Sequence, residues 1–103
     1  MSIFITVSDP WEFGTECGVG PFIGEVVGWR AGSILVRLAE TICMGDKVFA
    51  GVFVSPRHSG APLLESTARA PANLLFLPSP DEEVLDGRFP ASGYAATGTV
   101  RTV

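Results

Sequence analysis

The chain has 103 residues, enough for one domain around one core. Charged residues make up 17% of it and apolar residues 47%, with a net charge of −4. Its six Arg and one Lys are scattered at 30, 37, 47, 57, 69, 88 and 101, which argues against nucleic acid, because phosphate binding needs a gathered basic surface.

No apolar run approaches the roughly 20 residues of a membrane-spanning helix. The start, "MSIFITVSDP", has neither a basic region nor a long apolar one, so the expected location is cytoplasmic. There Cys17 and Cys43 are expected as thiols. So apolar a chain can hold more apolar surface than one small core hides, and the expected partner for the excess is a second copy, a homo-oligomer.

In chain order, Ser2–Val7 alternates with period two, Ile3, Ile5 and Val7 on one face. Asp9-Pro10 ends that strand and opens a glycine-rich loop to Pro21. From Phe22 to Arg30, Ile23, Val27 and Trp29 share a face broken by Glu25, and Trp29 reads as core. The other face carries Phe22, Gly24, Val26 and Gly28, whose glycines predict bends or close backbone approach. Ala31-Gly32 makes a hairpin to Ser33–Ile42, with Ile34, Val36 and Leu38 inward and Arg37 outward. Gly45-Asp46 is the next turn. Val48–Ser55 is apolar on both faces, which suits a central strand or one covered by a partner, and Pro56 ends it.

The second half is less regular. Residues 61–71 read either as one helical turn or as an irregular excursion. Asn73–Pro78 is too short for a helix and reads as a strand. Ser79 as N-cap, Pro80 at the first helical position and acids at 81–83 predict one short helix near 80–86. The tail, 90–103, is expected as an edge strand or a flexible end. The fold class is therefore mainly β: a single domain over 1–103, built as a small, strongly bent antiparallel sheet or barrel of five to six strands with one short helix.

The layout over about residues 7–60 resembles the small SH3-like barrels: a long first loop, "SDPWEFGTECGVG", then "FIGEVVGW", "SILVRLAET" and "KVFAGVFVS" as a meander. The resemblance implies an SH3-like β-barrel. Trp11 and Phe13 are only a loose echo of the aromatic pair of its peptide-binding members, so their proline-rich ligands are not carried over. The chain also looks like the short orphan proteins of mobile bacterial gene cassettes, a group that no residue pattern defines.

Candidate chemistry concentrates in two places. Gly18, Gly20 and Gly24 miss the dinucleotide fingerprint by one residue, and Pro21 and a strand follow where a helix would have to begin, so no cofactor is expected. Cys17, Cys43 and His58 lack the close spacing of a structural zinc site, and no metal is expected. Trp11, Glu12, Phe13 and Glu16 are more than a turn needs, and Arg57 and His58 follow a strand end, where they would orient an anion or a carboxylate. Together these six residues form the expected contact surface of a binding or interaction module for a protein or small-molecule ligand. Two alternatives belong to other classes: a small enzyme using Cys17 and His58 with a nearby carboxylate, and a nucleic-acid-binding barrel, which the acidic charge disfavours.

Overall fold

A computed structural model of the chain describes residues 1–8, 20–30, 32–44, 46–58, 63–64, 69–80 and 93–103. It is mainly β, with six strands: β1 (Ser2–Val7), β2 (Phe22–Arg30), β3 (Ser33–Met44), β4 (Lys47–Pro56), β5 (Ala70–Leu77) and β6 (Tyr94–Thr102). Each strand pairs antiparallel with the next, and β6 returns to pair with β1, so the sheet closes into a barrel in chain order. Closure leaves no strand edge unpaired, which suits a chain this apolar. The helix expected near 80–86 falls on 81–86, outside the described residues.

The tail, read as an edge strand or a flexible end, is instead the closing strand. Val100 lies opposite Ile5 of β1 on one side and Ala70 of β5 on the other. Its run of Ala, Thr, Gly and Val lets β6 sit close to both neighbours.

The inner face follows the period-two pattern along β1 and β3. Ile3, Ile5, Val7, Ile34, Val36 and Leu38 are all buried in one core cluster, with Val52, Val54, Leu74 and Val100 from other strands. Among the described residues, two features plug the barrel ends. Where β2, β4 and β6 begin and β5 ends, Phe22 meets Phe76 edge-on at 6.5 Å, and Phe49 sits 6.2 Å from Phe76 and 6.4 Å from Tyr94. At the other end the β4–β5 connection turns Leu63 into the same core, with Leu64 packed against it.

β2 corrects the expectation for Trp29. The row holding Ile23, Glu25 and Val27 faces outward, and Phe22, Gly24 and Val26 supply the inner side. Glu25 decides the matter: burying an unpaired carboxylate costs more than its apolar neighbours gain. A bulge at Val27 then shifts the register, so that Gly28 pairs with Leu35 and Trp29 with Ile34, one residue from the hairpin end. Trp29 remains 56% exposed. Trp29→Ala is therefore expected to cost about 1 kcal/mol or less, against roughly 3–5 kcal/mol for a buried Trp. A urea titration checks this, and a loss in the upper range would return Trp29 to the core.

The outer face carries a second apolar cluster. Leu35 and Leu77 are buried there, with Phe53 and Leu75 packed against them. The two-sided apolar pattern of β4 has its explanation here, and part of the cover comes from the chain itself. Pro80 crosses Gly51 so closely that a Cβ at 51 would lie 2.8–2.9 Å from its N, Cα and Cβ atoms. Only glycine lets the segment after β5 lie flat on the sheet.

Candidate functional site

Antiparallel pairing sets the residues of β4, β5 and β6 in rows across the outer face. One row runs Phe53, Leu75, Ala95 and the next runs Ser55, Asn73, Thr97. Over them lies an open hollow of about 430 Å³, lined by those six side chains together with Leu74 and Ala96. The hollow exists because Ala95 and Ser55 are small where their neighbours in the rows are large. Its floor is apolar, its second row offers two hydroxyls and an amide, and none of its described lining residues is charged. Among the described residues, the side chains of Ser55, Asn73 and Thr97 make no hydrogen bond, so their donors and acceptors remain open to a ligand or to water.

This site was not foreseen from the sequence. The signal in it was weak: two large apolar residues, Phe53 and Leu75, at outward positions, and the small-residue run "AATGT" in the tail. Neither has meaning until β6 is known to lie beside β5.

Trp11, Glu12, Phe13, Glu16 and Cys17 lie outside the described residues. The loop that carries them is anchored at Ser8, whose N–H donates to the Thr97 carbonyl at 2.9 Å, and at Gly20 before β2. Arg57 and His58 are exposed just after β4. In a closed meander the strands alternate in direction. The β1–β2, β3–β4 and β5–β6 connections therefore share one end, and the β2–β3 and β4–β5 connections share the other. The anchors of the opening loop and the Arg57-His58 turn thus stand at opposite ends of the barrel. Cys43, exposed opposite Val48 near the β3–β4 turn, belongs to the end away from His58. Among the described residues, no three of His, Cys, Asp and Glu are grouped closely enough to hold a metal ion.

Among the described residues, an ion pair lies across β1 and β2 on the outer surface. The Met1 amino group donates to Glu25 Oε1 at 2.8 Å and the Ser2 hydroxyl to Oε2 at 2.9 Å. The ammonium beside it, with the Ser2 hydroxyl, holds the Glu25 carboxyl below its usual range. Next to it, the Arg101 guanidinium stacks over the Phe4 ring, 5.1 Å from its centre.

Among the described residues, no helix is long and apolar enough to cross a membrane. No protein-family model, no curated protein and no solved structure matches the chain.

Proposed function

We propose that this protein is a small β-barrel binding module that acts as a homo-oligomer, and that its ligand sits on the outer face of β4, β5 and β6. One observation carries the placement of the ligand: the hollow of about 430 Å³, with its row of Phe53, Leu75 and Ala95 beside its row of Ser55, Asn73 and Thr97. That volume falls in the roughly 300–1,000 Å³ range of small-molecule sites, which are mostly apolar with a few placed polar groups. The uncharged lining favours a neutral ligand with a flat apolar body and one hydrogen-bonding edge, since an ionised group would lose water there with no opposite charge to meet it.

Acetanilide, a neutral aromatic amide, is a suitable probe. Titration followed by NMR is expected to shift the backbone amides of Ala95 and Thr97 and the side-chain amide of Asn73 saturably. Ala95→Trp fills the hollow from an exposed position and should abolish those shifts while leaving the far-UV spectrum unchanged. Shifts scattered over the whole barrel, or unaltered by Ala95→Trp, would refute the site.

A further inference from the structure

We infer that the ligand carries a carboxylate head outside the hollow, held by Arg57, Arg69 and Arg101, an inference that rests on the hollow over β4, β5 and β6 being the binding site. The rows across that face continue past Ser55, Asn73 and Thr97. The next row holds Pro71 and Thr99, which pair across β5 and β6, with Arg57 two positions on from Ser55. One row further, Arg69 and Arg101 each stand one position beyond the pair of Ala70 and Val100. Side chains alternate between the faces of a strand, so positions 69, 71 and 73 and positions 97, 99 and 101 share the outer face. The positions between them, Ala72, Leu74, Ala96 and Val100, are buried, and all three arginines are exposed. At the rise of an extended strand, Arg57 lies about 7 Å beyond the polar row, and Arg69 and Arg101 about 13 Å beyond it. The face is thus graded along the strands: apolar, then polar and uncharged, then cationic.

The strands β4, β5 and β6 contain no Asp or Glu. Among the described residues, none of the three arginines is in an ion pair, and Arg101 stacks on Phe4. Guanidiniums gathered without a counter-charge repel one another, and an anion entering among them relieves that repulsion. A carboxylate fits, because two N–H groups of one guanidinium match its two oxygens. The part of the ligand inside the uncharged hollow stays neutral, while the ionised head meets exposed side chains and keeps much of its water. The ligand class is therefore an organic acid: an apolar body, a neutral hydrogen-bonding link, and a carboxylate one row further on.

Two probes of the same shape test this. Butyranilide is a neutral aromatic amide, and succinanilate is the same molecule with its terminal methyl replaced by a carboxylate. In NMR titrations of the whole chain at low salt, both should shift the backbone amides of Ala95 and Thr97. Succinanilate should also shift the side-chain Nε–H signals of Arg57 and Arg69, and should bind at least about fivefold more tightly than butyranilide, as two or three exposed charge pairs allow. In the double variant Arg57→Gln, Arg69→Gln the ratio of the two dissociation constants should fall to within about twofold of one, with far-UV spectra checking that the barrel persists. The same fall is expected for wild type in about 0.5 M salt, a reading that needs no variant. If butyranilide does not bind at the hollow, the binding reading and this inference fall together. If butyranilide binds there and succinanilate binds no more tightly, or keeps its advantage in high salt or in the double variant, the inference alone is overturned.

Discussion

Gly98→Ala should lower the stability of the barrel by about 3 kcal/mol, the upper part of the usual range for overpacking. Gly98 is buried on β6, opposite Val7 of β1 and Ala72 of β5. A Cβ built there would run into the carbonyl oxygen of Thr6 and lie 2.9 Å from Leu74 Cδ1. Leu74 could turn aside at the cost of a poorer rotamer, but the Thr6 carbonyl belongs to the backbone and cannot. The seam between β1 and β6 must therefore widen at the one place where the first and last strands close the barrel. Alanine also has less conformational entropy to lose than glycine, a gain of roughly 0.5–1 kcal/mol that the collision outweighs. Urea unfolding monitored by circular dichroism measures the difference, with Thr97→Ala on the outer side of the same strand as the control. If Gly98→Ala proves as stable as wild type, the strands are not packed as closely as described.

The second large effect is expected at Phe76, where Phe76→Ala should cost roughly 3–5 kcal/mol. Phe76 is fully buried and, among the described residues, touches the rings of Phe22 at 6.5 Å and Phe49 at 6.2 Å, both in edge-on geometry. Truncation removes those contacts, each worth about 0.5–1.5 kcal/mol beyond the area they bury. It also leaves a void at a barrel end, where strands fixed by closure cannot collapse inward to fill it. Phe76→Leu, which keeps most of the volume, should cost clearly less. Equal losses for both variants would mean that ring geometry, rather than filled space, holds this end together. For a domain of this size each kcal/mol moves the melting midpoint by roughly 4–8 °C, so both effects are well within reach of a thermal scan.

Both effects turn on features only partly legible in the residues. Phe76 was readable as part of a strand, because Pro71 and Pro78 bracket a run too short for a helix. Its aromatic neighbours come from β2 and β4, more than 25 positions away in the chain, and no local pattern links them. Gly98 carries no local signal at all. A glycine in a Thr- and Ala-rich tail is as compatible with a frayed end as with a tight seam, and the contact that demands it lies on the first strand.

The candidate site divides in the same way. The density of unusual residues from Trp11 to Cys17 drew attention to a loop, and Arg57 and His58 to a turn. Whether two such segments meet depends on which end of the barrel each occupies. Closure of the meander puts Ser8 and Gly20, the described flanks of the loop, at the end opposite Arg57 and His58, while Trp11 to Cys17 lie outside the described residues. The hollow over Phe53, Leu75 and Ala95 is assembled from three strands in register, so its residues look ordinary one at a time.

The sequence by itself determined the elements and much of their facing. Period-two alternation in β1 and β3 marked the buried side, because a side chain's face follows from its parity along a strand. Gly and Pro marked where strands stop, through local backbone limits that need no tertiary partner. The tertiary structure alone decided that the tail closes the sheet, that Ile23 and Val27 face outward while Trp29 follows a bulge to the hairpin end, and that Leu35 and Leu77 are buried on the outer surface. Each of these is a choice between two sides or two neighbours that are locally almost equal in energy. What separates them is the collective cost of leaving strand edges unpaired and Glu25 buried, which is set only when all six strands are present.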